Sequence, residues 1–221
     1  MKRCLVLCAM LIVLLFCGCK ESGWEYIPID FYFDVAQPAN DSELSEMPAK
    51  FKGRYLMGDS TLVITDKEVV SEYTLKSTHS KDILKDSVKE KFSYKNGKFY
   101  AQGLTYDVVE KNDSIYLSTI VKDTFFKFDK NHAAKRIKGQ VVLNRKDSIF
   151  WKMNILSFEN DSLKWRHLSS KNDYVKLKPY VKDIVANADT TVVHLKPTPA
   201  EFKKILAIKT LGWDMRYKKV Q

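Results

Sequence analysis

The sequence predicts an all-β domain, a mostly antiparallel meander with one C-terminal helix, and three observations carry that expectation. Between residues 51 and 195, short runs rich in Val, Ile, Thr, Phe and Tyr recur, bounded by Gly, Asn, Asp or Ser. Such runs fit a pleated, half-buried surface better than a helix. Phe92-Ser93-Tyr94-Lys95 and Lys98-Phe99-Tyr100-Ala101 meet across Asn96-Gly97, two residues that tolerate the positive φ of a tight hairpin turn. Near the end, Thr198-Pro199-Ala200-Glu201 supplies a capping hydroxyl, a proline at the first helical position and a glutamate three residues after the cap. A barrel, a sandwich and an open curved sheet all accommodate this pattern.

Taken in order, residues 24–35 carry Trp24, Tyr26, Phe31, Tyr32 and Phe33 and read as extended, with the aromatics packing under the main body. Residues 36–49 are polar and proline-bearing, a loop. Tyr55-Leu56-Met57 and Leu62-Val63-Ile64 flank a turn at Gly58-Asp59-Ser60, residues 68–75 form the next strand, and the polar stretch 78–87 holds one helical turn. After the Asn96-Gly97 hairpin, residues 105–110, 114–121 and 124–128 continue the meander, and 131–135 reads as a short helical connection. Three strands follow at 138–144, 148–158 and 163–168. In the middle one Ile149, Trp151, Met153 and Ile155 share one face, while Phe150, Lys152 and Asn154 share the other, which places it near the centre of a sheet. Residues 174–177, 181–185 and 191–195 complete the strands. Phe202, Ile205 and Leu206 then lie on one face of a helix over 199–209, Gly212 ends it, and 213–220 reads as a closing strand. An Asp-Ser pair recurs at residues 59, 86, 113, 147 and 161, and its local chemistry is a turn: both side chains bond their own backbone before a strand begins.

The first 22 residues have a different character. Lys2 and Arg3 open the chain, residues 4–16 are an unbroken apolar run, and Cys17-Gly18-Cys19 leads into polar Lys20-Glu21-Ser22. This is the three-part build of a secretory signal. As a helix, residues 4–19 would span about 24 Å at ~1.5 Å per residue, short of a hydrocarbon core of roughly 30 Å. Leu15-Phe16-Cys17-Gly18-Cys19 resembles the lipobox of bacterial lipoproteins, with a small residue before an obligatory cysteine; Phe16 departs from the usual leucine. The resemblance implies cleavage after Gly18 and lipid attachment at Cys19: a diacylglycerol on its sulfur and a further acyl chain, such as palmitate, on its amine. Two or more chains hold a protein firmly on its membrane. Cleavage before Cys17 would follow Phe16, too bulky for that position. Lys20 stands where an aspartate would resemble an inner-membrane retention signal, which favours the outer membrane of a bacterial envelope, with the leaflet left open. The chain thus divides into a signal peptide (1–18), an acylated anchor, tether and aromatic segment (19–50), and a β-rich domain (51–221).

The cysteines are Cys4, Cys8, Cys17 and Cys19, so processing leaves one, and acylation consumes its thiol. No disulfide or cysteine metal site is then available, and the fold must rest on a hydrophobic core. Net charge is +10, lowered to +8 when Lys2 and Arg3 leave with the signal. The expected partners are the membrane, through the acyl chains on Cys19, and anionic envelope components or another envelope protein, with no nucleic acid. His79, His132, His167 and His194 lack metal-ligand spacing, and no serine-hydrolase, dinucleotide or phosphate-loop motif is present. No cofactor, metal ligand or catalytic residue is assigned.

Phe51-Lys52-Gly53-Arg54-Tyr55, at the start of a meander with a late helix, resembles the opening of the lipocalins, although that family has Trp where Tyr55 stands. The resemblance implies a closed antiparallel barrel with a cavity for an apolar ligand. The leading expectation is a non-enzymatic, lipid-anchored envelope protein with a structural or protein-binding role. A lipocalin-like carrier of an apolar small molecule is the alternative, and an unrecognised hydrolase the second. One prediction follows from the cysteines alone: the mature monomer migrates identically with and without reductant on denaturing electrophoresis, and a mobility difference would contradict it.

Overall fold

The computed structural model describes residues 28–84 and 92–220. Gly18, Cys19 and the rest of the signal and tether fall outside the described residues. Asp30–Phe33 (β1) leads through a loop and a single 3-10 turn, Ala49–Phe51, into the meander Gly53–Met57 (β2), Ser60–Ile64 (β3) and Glu68–Ser80 (β4). Phe92–Lys95 (β5), Lys98–Ala101 (β6), Leu104–Lys111 (β7) and Ser114–Lys127 (β8) follow, then His132–Ile137 (β9), Gln140–Asp147 (β10), Phe150–Glu159 (β11) and Ser162–His167 (β12). Helix Lys171–Leu177 (α1), strands Ile184–Ala186 (β13) and Val192–Leu195 (β14), helix Pro199–Ala207 (α2) and strand Trp213–Lys219 (β15) complete the chain.

Local chemistry accounts for most of these boundaries. Asn96 and Gly97 take φ of 52° and 71° between β5 and β6, the conformation their sequence invites. β3, β8 and β12 each begin at the serine of an Asp-Ser pair. Thr198 and Glu201 form the reciprocal capping box of α2. Three expectations are corrected. Residues 131–135 are no helix: β9 pairs antiparallel with β10 across a turn at Lys138-Gly139. Residues 174–177 are no strand: they belong to α1, whose N-cap Ser170 and third residue Asp173 form a second capping box. Residues 114–121 and 124–128 are not two strands: β8 runs unbroken over Ser114–Lys127, kinked where its register with β4 shifts between Val69 and Val70.

All strands join in one sheet, antiparallel except for β1 beside β14. The series β9-β10-β11-β12-β15-β2-β3-β4-β8 curls, so that Phe126 of β8 shares a core with Ala134 of β9, Leu143, Leu156, Trp165, Tyr217, Tyr55 and Leu62. The curl stops short of closure: among the described residues β8 and β9 form no strand ladder, and the backbone pairing between their segments is the single Asp129–His132 bridge of the connecting turn. The closed barrel implied by the lipocalin resemblance is therefore not formed. Its far end is filled by Phe51 and Tyr55, both fully buried, with the Tyr55 hydroxyl donating to the Phe51 carbonyl at 2.8 Å.

The outer face of β10 and β11 supports a second core. Val142, Met153 and Ile155 pack there against Phe31 and Phe33 of β1, Val193 and Leu195 of β14, Leu177 of α1, and Phe202 and Ile205 of α2. The aromatics of residues 24–35 that the structure describes thus include two core residues, as anticipated. Beyond the curl, β4 and β8 run on as a long ribbon that joins β7, β6 and β5 around a small cluster of Phe99, Ile115 and Leu117.

Buried polar groups fasten the loop after β1. Asn144 Oδ1 accepts from the Gln37 amide at 2.8 Å, and its Nδ2 donates to the carbonyls of Gln37 and Ala133 at 2.8 and 3.0 Å. Lys135, also buried, donates to the carbonyls of Ala36 and Pro38 at 3.1 and 3.0 Å. Asn144→Ala would strand these backbone groups away from water and should cost about 3 kcal/mol. Urea unfolding measures this; an unchanged midpoint would show that the loop does not depend on Asn144.

Candidate functional site

The end of the curl opposite Phe51 and Tyr55 is open, and its geometry grows from alternation along β12 and β15. Trp165, His167, Trp213 and Met215 all point to the inner side, because His167 pairs with Trp213 and Trp165 with Met215. Trp165 is buried and donates its indole N–H to Asn154 Oδ1 at 3.0 Å. Across from it stands Phe125, the extra residue of the β8 irregularity, partly exposed with its ring 5.2 Å from that of Trp165. A bulge re-aims the side chain it inserts. Here it turns an aromatic ring toward the opening. Phe125, Trp165, Met153, Met215 and Asn154 line a recess of about 410 Å³, with Arg145 and Lys152 at its edge.

The two cations differ. Lys152 bonds Asp30 at 2.8 Å and Asp147 at 3.3 Å, and its ammonium lies 4.8 Å from the centre of the Tyr32 ring. Burial works to lower its pKa, but these contacts outweigh burial and raise it. The Lys152 bond, in turn, is the main cause holding the Asp147 carboxyl below its ordinary value. Tyr32 stacks on His194 at 5.5 Å, and Phe150 meets the same imidazole edge-on at 4.5 Å. Arg145 is exposed and forms no salt bridge among the described residues.

A second recess, about 630 Å³, adjoins the first along Pro28, His167 and Ser169, and is completed by Ser170, Asp173, Gly212 and Trp213. Asp173 organises it from beneath. One carboxylate oxygen accepts from the Ser169 and Ser170 amides, both at 3.1 Å, and from the Ser170 hydroxyl at 2.8 Å; the other accepts from the Gly212 amide at 2.7 Å. Gly212 has φ of 75°, and a Cβ there would fall 2.6 Å from the His167 carbonyl. Only glycine lets the chain leaving α2 come this close to the end of β12. His167 meets Trp213 edge-on at 5.1 Å. Burial pushes its imidazole below the ordinary 6.5, against the opposing pull of Asp173 and Asp214.

The four histidines stand on four different strands, β4, β9, β12 and β14. His132 bonds Asp129 at 2.7 Å. That bond, with the Asn131 amide, holds the Asp129 carboxyl at about 2, inside the β8–β9 turn. Among the described residues no three His, Cys, Asp or Glu side chains gather to hold a metal ion. Chemically, the open end can receive an apolar or aromatic group against the contacting rings of Phe125 and Trp165 and an acidic group beside Arg145. The assigned lipid-attachment residue, Cys19, and the cleavage residue, Gly18, lie outside the described residues, and Pro28 lies on the rim. The rim itself left little trace in the sequence. The Ser170/Asp173 cap is readable as a pattern, whereas Phe125 depends on a register shift and the Pro28–Trp213 proximity on long-range pairing.

No protein family matches the sequence, and comparison with curated proteins and with solved structures finds no similar protein.

The lowered pKa of His167 fixes a pH dependence. Between its folded and unfolded values the unfolded chain binds a proton that the half-buried imidazole refuses, so this contribution to stability is fully present above pH 6.5 and is lost as pH falls through the folded value. NMR titration should place the His167 midpoint below 6.5. His167→Phe should flatten the stability profile in that window, and an unperturbed midpoint would contradict the assignment.

Proposed function

We propose that this chain is a lipid-anchored protein of a bacterial cell envelope, held by acylated Cys19, whose β domain has a structural or protein-binding role and no catalytic one. The observation that carries the anchor is the sequence Leu15-Phe16-Cys17-Gly18-Cys19 at the end of an apolar run too short to span comfortably. Lys20 supports the outer membrane as its destination. The domain's lack of thiols and its positive charge suit an exported protein working beside anionic envelope components.

Two features of the fold support a binding role over a carrier. The interior of the curl is filled by large side chains with no exposure, including Tyr55, Phe126, Leu156 and Leu163. On the ribbon sheet, Tyr100, Val109, Tyr116 and Ile120 are exposed. Tyr116 pairs directly with Val109, and alternation along β8 puts Ile120 on the same face. Apolar side chains grouped on one sheet face are a common mark of a protein contact. The carrier reading keeps one specific observation in its favour, the recess lined by the contacting rings of Phe125 and Trp165.

Cys19→Ser tests the anchor. In a bacterium fed a clickable fatty acid, the parent chain should take up label and sediment with membranes, and the variant should lose both properties. Equal labelling and retention of the variant would overturn the reading.

A further inference from the structure

The rim lies a short way along the chain from the acylated cysteine. Nine peptide units separate Cys19 from Pro28, so even a fully extended tether keeps Pro28 within roughly 30 Å of the acylated cysteine. Pro28 shares its recess with Trp213, the largest exposed side chain on the rim at 60% exposure. Exposed lysines stand close to both. Lys171 follows Ser170 of the rim, Lys209 and Thr210 precede Gly212, and both lysines are exposed. Lys176 donates its ammonium to the Thr210 carbonyl. The acids nearby are already engaged: Asp173 is buried with both oxygens occupied, Asp214 is bound by Lys164 and Arg166 at 2.8 Å each, and Asp30, exposed two residues after Pro28, is bound by Lys152 at 2.8 Å. An exposed tryptophan among lysines, tied by a short tether to a lipid, matches the amphipathic chemistry of a membrane interface, where indole rings and ammonium groups both find partners.

We propose that this rim is a membrane-contact surface. Trp213 seats in the headgroup layer of the bilayer that holds the Cys19 acyl chains, and Lys171 and Lys209 face anionic lipid phosphates. The proposal rests on the Cys19 anchor put forward above. It adds an orientation: the open end of the curl faces the bilayer instead of turning freely on its tether.

The test uses the full chain, expressed so that Cys19 is acylated, and reconstituted on vesicles of phosphatidylethanolamine and phosphatidylglycerol. With the Cys19 thiol consumed and the other cysteines removed with the signal, one introduced cysteine is the sole reactive thiol. An environment-sensitive fluorophore is placed at Thr210→Cys, at Trp213→Cys and, for comparison, at Tyr116→Cys on the ribbon sheet, four strands away in the sheet order. On vesicles the labels at 210 and 213 should shift to shorter wavelength and lose intensity to brominated acyl chains, while the label at 116 stays open to aqueous iodide. Labels at 210 and 213 as accessible to iodide as that at 116 would overturn the proposal. So would labels shielded from both quenchers, because protein would then cover the rim. Flotation separates the two hypotheses: a chain that floats but fails the quenching test refutes the contact surface alone, and one that does not float refutes the anchor and the surface together.

Discussion

A strand with apolar residues on both faces must be covered twice, and β11 imposes that requirement on the whole molecule. Leu156 faces the inside of the curl, while Met153 and Ile155 face the layer of β1, β14 and the two helices. Its hydrogen-bonding edges are equally committed. β10 runs along one, and the other is divided between β12, from Asn154 onward, and β1, which meets it at Trp151. β12 cannot continue past His167 because β1 takes over the edge, and the backbone bond from Ile29 to Ser169 marks the exchange. The rim of the open end exists because of that handover.

Polar groups then decide details that apolar burial leaves loose. Burial is non-directional and fixes no register. Asn144 and Lys135 supply the direction on one side of β10 and β9, each saturating carbonyls that the loop after β1 would otherwise leave dry. Asp173 does the same on the other side, joining the N-terminus of α1 to the segment that follows α2 through a single carboxylate. Arg166 reinforces that junction from the outer face, reaching Asp214 and the carbonyls of Ile208 and Lys209. Apart from the exposed Arg166–Lys209 contact, these are buried or half-buried bonds, where an unmade partner costs more than a surface contact can return.

Much of the strand pattern was legible because it follows local chemistry. The Asn96-Gly97 hairpin, the Asp-Ser turns and the α2 cap all depend on residues within four positions of one another. Of the expectations that failed, one was overridden by distant pairing and another by a local cap. His132-Ala133-Ala134-Lys135 has helix-favouring residues, yet Ala133 and Ala134 are small because β9 lies against β10 and the loop carrying Leu44. Tyr174 to Leu177 contains an aromatic and a β-branched residue, as strands do, and the Ser170/Asp173 cap upstream commits it to a helix. At the open end, the indole bond of Trp165, the bulge at Phe125 and the approach of Gly212 to His167 are properties of tertiary geometry, with no counterpart in spacing.

The ribbon formed by β4 and β8 carries a consequence for dynamics. Proximal to Val70 and Thr124 it belongs to a core of many fully buried side chains, whereas among the described residues its distal half is held by Phe99, Ile115 and Leu117 and their partly buried neighbours. Local opening is cheapest where few apolar contacts are lost. Amide hydrogens of β5, β6 and β7 therefore exchange through subglobal fluctuations while those of β10 and β11 await global unfolding, and the register kink in β8 is the natural border between the two cooperative units.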